Sequence, residues 1–340
     1  MSTIVDVCKL AGVSKATVSR VMNGTGQVKE STREAVYAAM EQLGYRPNKI
    51  AQALATSKTD TIGFVVSHFD GAYIGSLLQQ ASASAEAVKK QLIVTDCHND
   101  PELEYETVRQ LEGRCDAIVL YSRTLSDAHL RKLHRELSTP LVLINRTLPE
   151  PLFHTVTFDQ ESASTMMMNH LIGYGHRKIA CITGSLDNPT GKARLAGYIN
   201  TLKRHAIPYK PCLVKYADYQ IEGGYRACQE LLEEKTSFTA LFAFNDYMAL
   251  GALKALTEAG IKVPEQVSLA GIDNNMLAAY VSPALTTIEL PLNVMTRQAM
   301  ELAVQLINHK DSGSSHQFKG KLIQRESVMP FHAAESWLTC

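Results

Sequence analysis

The sequence predicts two architectures in one chain: a small all-α unit at the N-terminus, then an α/β core of two doubly wound parallel-sheet lobes. Three observations predict it. Residues 3–45 place apolar side chains at helical spacing and interrupt them with glycines. From Thr61 onward, short β-branched runs alternate with helical stretches, the pattern of parallel strands joined by crossover helices. The ten strand candidates in that region are too many for one compact lobe, and at 340 residues the chain is long enough for two or three domains.

The first helix should begin at Ile4, because Thr3 and Asp6 form a T-x-x-D capping box. Ile4, Val7 and Leu10, with Ala11, give its apolar face. Gly12 suits a left-handed stop, Val13 plugs the angle, and Ser14 caps a second helix from Lys15 to about Met22. In that helix Val18 and Val21 face inward, leaving Lys15, Ala16, Ser19 and Arg20 outward. A third helix is expected over about Glu30–Leu43, with Val36, Met40 and Leu43 on one side and Gly44 as its stop.

Two short helices joined by a glycine turn, the second carrying a small, polar and basic face, form the helix-turn-helix pattern. A helix entering the major groove needs small or hydrogen-bonding residues at its leading edge. Arg20 suits a guanine edge, Lys15 a base or phosphate, and Ala16 a thymine methyl. Thr17, Ser19, Asn23 and Thr32 suit phosphates, and Thr3 and Ser14 at the caps complete the candidate DNA contacts. The alternative is an ordinary three-helix bundle with a solvated polar face.

In the body, strands are expected at Thr61–Ser67, Leu92–Cys97, Asp116–Tyr121, Leu141–Asn145, Thr155–Phe158, Lys178–Thr183, Leu213–Tyr216, Ala240–Phe244, Ser268–Ile272 and Thr286–Leu290. Helical segments between them include Tyr73–Lys89, Leu103–Leu111, Ala163–Leu171, Arg194–His205, Gly223–Leu232, Met248–Ala259 and Asn293–Ile307. Doubly wound lobes place ligands outside the carboxyl ends of their strands. There the sequence sets polar residues: Asn145 and Arg146, Asp187 and Arg194, Asn245 and Asp246, and Asp273. Carboxylates, amides and guanidinium groups together satisfy neighbouring hydroxyls on a sugar ring. Each also has a plainer reading as a turn former or helix cap, with Asn245-Asp246 and Asp273 able to cap the helices after them, and that reading is strongest for Asp246 and Asp187.

Composition excludes several classes. A content of 45% hydrophobic and 20% charged residues is that of a soluble globular protein, and the apolar runs are strand-sized. The opening Met1-Ser2-Thr3-Ile4 has no basic or apolar leader pattern, so a cytoplasmic location is expected. Seven scattered cysteines without a C-x-x-C argue for reduced thiols, no zinc site and no disulfide framework. Zero net charge hides a small asymmetry: residues 1–60 carry eight Lys/Arg against five Asp/Glu, and the remainder 26 against 29. Gly191-Lys192 fails as a P-loop, because six residues rather than four separate Gly184 from Gly191 and Ala193 replaces the Ser/Thr. His129 and His134 are five apart, off a shared helix face, and no G-x-S-x-G or H-E-x-x-H occurs. No metal, cofactor or enzymatic chemistry is expected.

The run Thr3-Ile4-Val5-Asp6-Val7-Cys8-Lys9-Leu10-Ala11-Gly12-Val13-Ser14-Lys15-Ala16-Thr17-Val18-Ser19-Arg20-Val21, followed by Gly44-Tyr45-Arg46-Pro47-Asn48, resembles the headpiece of the lactose-repressor/galactose-repressor (LacI/GalR) family. The resemblance extends over nearly the whole chain. Its landmarks include Gly184-Ser185-Leu186-Asp187, Arg194-Leu195-Ala196-Gly197-Tyr198, Asn245-Asp246-Tyr247-Met248-Ala249-Leu250-Gly251 and Leu285-Thr286-Thr287-Ile288. It implies a core of the periplasmic-binding-protein-like fold. It also implies that Asn48–Ala55 is a hinge helix ordering on operator DNA, with Leu54 wedged into the minor groove. Asn48 is a good N-cap, and a helix under about ten residues is marginal alone, so such a segment is a natural switch. A plain interdomain linker is the alternative. In relatives, residues matching Arg194, Asn245 and Asp273 contact the effector, and Tyr73, Arg146 and Asp187 follow by position. Asn274 stands where relatives often carry a second acid, and His68–Tyr73 lacks the commoner Asn-Pro-Phe, which leaves the ligand's identity open. Gly184–Thr190 and Phe318–Arg325 resemble most the galactose and β-glucoside operon repressors.

The expected layout is a headpiece at 1–47, hinge and linker at 48–60, and a core at 61–340. Its first lobe spans about 61–160 plus 291–317, its second about 161–290 plus 318–335. The expected function is sequence-specific repression of a carbohydrate-utilisation operon by a homodimer on double-stranded operator DNA. A sugar effector between the lobes would regulate it, with no membrane involvement; the lack of a C-terminal leucine heptad favours the dimer over a tetramer. The alternatives are a sugar-binding protein of a transport system without a DNA role, and a sugar-acting enzyme with a DNA-binding appendix.

Overall fold

The computed structural model describes residues 2–24, 26–46, 58–69, 73–308 and 314–331. Its contacts divide the chain into Met1–Asp60 and Thr61–Cys340. The first unit holds α1 (Ile4–Ala11), α2 (Lys15–Asn23) and α3 (Glu30–Gln42). Thr3 and Asp6 close the capping box, and Gly12, at φ 66°, stops α1 in the left-handed region. Ser14 caps α2 by accepting from the Thr17 N–H, and Gly24 ends it. Val7, Val18, Val21, Val36 and Ala39 form the small core. Leu10 departs from expectation and is exposed. Ile4, Cys8 and Ala11 pack beside Val7 and centre the buried stripe on the other side of α1 from it.

The second unit contains two parallel sheets. The first has the order β11-β5-β4-β3-β1-β2, from β1 (Thr61–Val66), β2 (Gln91–Asp96), β3 (Ala117–Tyr121), β4 (Leu141–Ile144), β5 (His154–Phe158) and β11 (Ser315–Phe318). The second has the order β7-β6-β8-β9, from β6 (Ile179–Thr183), β7 (Val214–Tyr216), β8 (Ala240–Ala243) and β9 (Ser268–Ala270). A separate antiparallel pair joins β10 (Thr287–Glu289) to β12 (Lys321–Ile323). The crossover helices are α4 (Ile74–Ala87), α5 (Pro101–Gln110), α6 (Asp127–Glu136), α7 (Gln160–Gly173), α8 (Pro189–Arg204), α9 (Ile221–Glu233), α10 (Asp246–Glu258) and α11 (Leu292–Asn308).

Strands β1, β3, β4 and β5 of the first sheet are buried on both faces, so their residues sort by parity. Phe64, Val119 and Val142 enter the core cluster that continues into the second lobe, while Val65, Leu120 and Leu143 enter a separate one under α5 and α6. Three chain crossings link the lobes: after β5, after β10 and between β11 and β12. They meet at Gly320, where an added Cβ would lie 2.5 Å from Ile288 Cγ2 and 3.0 Å from the Glu289 carbonyl. Only a glycine lets the backbones approach that closely.

Among the described residues, two strands, one α-helix and the short 3-10 turn Met276–Ala279 lie beyond the elements named from sequence. β11 and β12 are short, with polar and charged residues, and take strand form from pairing with β5 and β10 rather than from their own pattern. α6 buries Leu130 and Leu133, and Ser126 caps it.

Candidate functional site

In the N-terminal unit the turn fixes what α2 presents. Val18 and Val21 are buried, so the helix shows the solvent Lys15, Ala16, Arg20 and Asn23, with Thr17 and Ser19 half-buried beside them. The side chains of Lys15 and Arg20 make no hydrogen bond or ion pair among the described residues, leaving every donor free. The hydroxyls nearby are partly engaged. Ser14 Oγ caps α2 and lies 3.0 Å from Thr17 Oγ1, while Ser19 Oγ accepts from Asn23 Nδ2 at 3.3 Å. Thr3 Oγ1 donates to Asp6 Oδ2 at 2.8 Å, and the Thr3 hydrogen bonds hold the Asp6 carboxyl below its ordinary range. Thr32 sits in the first turn of α3, which begins without a side-chain cap. Asn48 and Leu54 lie outside the described residues.

In the core, residues following the carboxyl ends of strands from both sheets line one interlobe cavity. Arg194, on α8, is its hub. Its Nε donates to Gln160 Oε1 at 2.8 Å, one Nη donates to the Phe244 carbonyl, and the other lies 3.5 Å from Asp273 Oδ1. Both members of the ion pair are almost wholly buried. Burial pushes the Asp273 carboxyl up to about 6, against the pull of Arg194 and Arg123. Behind it Asp246 is fully buried and is also pushed up, by burial and then by Asp273, while it accepts from Thr287 Oγ1 and the Asn275 N–H. Gln160 Nε2 donates to Asn145 Oδ1, and Asn145 Nδ2 lies 3.5 Å from Thr190 Oγ1, so an amide relay spans the two lobes.

Tyr73, Arg194, Asn245 and Asp273 all line this cavity. Tyr73 shares a 2.8 Å hydrogen bond with Tyr121, hydroxyl to hydroxyl. Asn245 serves as the helix cap and also lines the cavity: Oδ1 caps α10 through the Met248 N–H, and Nδ2 donates to the Tyr219 carbonyl. Arg146 and Asp187 lie outside the lining. Asn145 adopts φ 66°, and it is Asn145 that lines the cavity while Arg146 pairs with Asp127 at 2.8 Å. Asp187 is exposed in the turn before α8 and accepts from Ser185 Oγ.

The sequence reading missed Arg123, Tyr121, Gln160 and Tyr219, all in the lining. Arg123 stands two residues past β3, so the strand-end rule that found Arg194 and Asp273 reaches it too. The signal for Tyr219 was hidden in two glycines far from it. A Cβ on Gly184 would fall 2.0 Å from the Tyr219 ring, and one on Gly191 would fall 3.0 Å from its hydroxyl.

Among the described residues no group of His, Cys, Asp and Glu is suited to hold a metal, and no helix is long and apolar enough to cross a membrane. Residues 3–48 match the family model for bacterial regulatory proteins of the lacI family, and residues 168–328 match that for a periplasmic binding protein-like domain. The HTH-type transcriptional regulator AscG of Escherichia coli (strain K12) is 39% identical over 97% of this chain and 99% of its own. The crystal structure of the lac repressor dimer bound to operator and the anti-inducer ONPF superposes with a TM-score of 0.88 at 27% identity, covering 96% of this chain and 99% of that one. A complex of the transcriptional regulator CelR with cellobiose gives a TM-score of 0.73 at 31% identity over 96% of this chain and all of that one. With a helix-turn-helix unit and a two-lobed core that both match, the chain belongs to the lacI family of bacterial regulatory proteins.

Proposed function

We propose that the protein is a cytoplasmic repressor of a carbohydrate-utilisation operon, working as a homodimer whose operator binding is set by a small sugar between the lobes and performing no enzymatic reaction. The observation that carries the DNA side is the leading face of α2: Lys15, Ala16 and Arg20 stand exposed, the two cations unpaired, on a helix held by a glycine turn. Arg20 reads a base edge, Lys15 and Ala16 contact bases or phosphate, and Thr3, Ser14, Thr17, Ser19, Asn23 and Thr32 set the register on the backbone. Two such helices in a dimer span half-sites of a pseudo-palindrome.

In the core, Arg194 and Asp273 take adjacent sugar hydroxyls, with Tyr73 and Asn245 beside them. A solved relative is a complex with cellobiose, which supports a saccharide. Residues 1–47 act as the headpiece, 48–60 as hinge and linker, and 61–340 as the sensor. Asn48 caps the hinge helix, and Leu54 wedges into the minor groove when operator orders it. A sugar that binds one lobe arrangement better than the other shifts the hinge; coupling of about 1–3 kcal/mol is typical of such switches.

The test is a titration of the purified full chain with duplex DNA over a range of salt, then a thermal-shift screen of mono- and disaccharides. Steep salt dependence, a selected operator and a sugar that alters its affinity are expected. Protein with a folded headpiece that ignores duplex DNA at low ionic strength overturns the reading.

A further inference from the structure

We propose that the ligand of the interlobe cavity is an anionic saccharide, a sugar bearing one phosphate ester or carboxylate, and that Arg123 receives the anion. This rests on the sugar-cleft reading above and narrows its ligand. Arg123 stands two residues past the end of β3, in the cavity lining contributed by the first lobe. Its backbone N–H donates to Ser67 Oγ at 3.0 Å, and Ser67 Oγ is also bound to the Tyr121 carbonyl and Glu104, so the segment carrying it is pinned to β1. Its guanidinium lies over the ring of Tyr219, 5.2 Å from the centroid, and Tyr219 belongs to the second lobe. A guanidinium stacked on its face keeps its donors along the edge, where a planar or tetrahedral oxyanion takes two of them.

The contrast with Arg194 gives the charge argument. Arg194 spends its donors on Gln160, the Phe244 carbonyl and Asp273. The side chain of Arg123 makes no hydrogen bond and no ion pair among the described residues. The ionisable groups that face it are Asp273, already the partner of Arg194, and the phenols of Tyr73, Tyr121 and Tyr219, which are neutral near pH 7. Two guanidinium groups therefore share one carboxylate in a recessed cavity between the lobes, with Arg123 half-buried in its wall. A neutral sugar satisfies Arg194 and Asp273 but offers Arg123 only hydroxyl dipoles. An oxyanion on the same ring supplies the missing charge where water is scarce, so the match is strong.

The experiment is calorimetry on the full chain with matched sets: glucose, glucose 6-phosphate and glucuronate; galactose, galactose 6-phosphate and galacturonate; and inorganic phosphate alone. One charged sugar should bind on the order of tenfold tighter or more than its neutral parent. The preference should shrink with added salt. Comparison of the phosphate and carboxylate arms identifies the anion. Arg123→Gln should bring the charged sugar and its neutral parent to equal affinity, and Arg123→Lys should keep part of the preference; the melting point of each free variant checks its fold. Neutral sugars that bind as well as charged ones overturn the proposal and leave the sugar cleft standing. If no saccharide of either kind binds, the cleft reading falls with it. Inorganic phosphate binding as tightly as a sugar phosphate removes the saccharide, and a preference that survives Arg123→Gln removes Arg123.

Discussion

The exposed face of α2 and the interlobe cavity place functional side chains in opposite conditions. On α2, Lys15 and Arg20 are solvated and have no partner among the described residues, while Val18 and Val21, with Met22 beside them, hold the helix down. In the cavity, Arg194, Asn245 and Asp273 are buried: Arg194 donates to the Phe244 carbonyl and pairs with Asp273, while Asn245 is bonded to the Met248 N–H and the Tyr219 carbonyl. The first arrangement separates recognition from folding. The second makes the proposed ligand site part of the packing between lobes, a route by which occupancy would reach the lobe arrangement.

Arg194→Ala tests the second half of that contrast and should have the largest effect. It leaves buried Asp273 with only the unbonded Arg123 to offset its charge, and the Phe244 carbonyl without its donor. Removing one partner of a buried pair costs about 3–5 kcal/mol, so urea unfolding of the core should shift by that order and the sugar response should vanish. The headpiece should still bind operator. Arg194→Lys should rescue neither property, because one ammonium cannot reach three acceptors arranged around a planar fork. A core that unfolds at the wild-type midpoint would mean that site and packing are separable here too.

Arg20→Ala tests the first half. It should cost about 1–3 kcal/mol of operator binding, concentrated at one base pair, with the melting curve unmoved. A uniform loss across all sequences would reassign Arg20 to phosphate. A loss of folding stability would show that the face of α2 is not free of structural duty.

The same contrast explains what was legible in the sequence. The headpiece is specified by neighbours: Thr3 with Asp6, Ser14 with Thr17, and Gly12 and Gly24 at helix ends, all within four residues of what they satisfy. The core's alternation of strand and helix is local too, and the strand-end rule reached Arg194, Asn245 and Asp273. The rest depends on backbone turns and distant partners. A left-handed Asn145 decides that the amide, not Arg146, lines the cavity. Tyr219 is seated by glycines about thirty residues earlier. β11 and β12 exist because β5 and β10 offer edges, a fact no short window contains.

A pH titration distinguishes the two regions through Asp273. Its carboxyl in the fold sits near 6, above its ordinary 3.8, chiefly through burial. Between those values the fold holds a proton that the unfolded chain releases. The linkage sign follows: this group favours the fold more as pH falls from 7 toward 5, by on the order of 1 kcal/mol. Asp273→Asn should remove that slope from the core's urea midpoint. An unchanged slope would move its origin to other groups, Asp246 first among them.

The smallest expected effect belongs to Ser14→Ala. Its hydroxyl accepts from the Thr17 N–H at 3.2 Å in an exposed setting, so losing the cap should cost the headpiece about 1 kcal/mol. Ser14→Gly should cost only a few tenths, since glycine leaves the N-cap backbone open to water. The pair therefore separates two roles of one oxygen. If operator binding falls equally in both variants while stability falls in one, Ser14 touches the DNA. If binding follows stability, the hydroxyl only holds α2 in place, and base and phosphate contacts begin at Lys15.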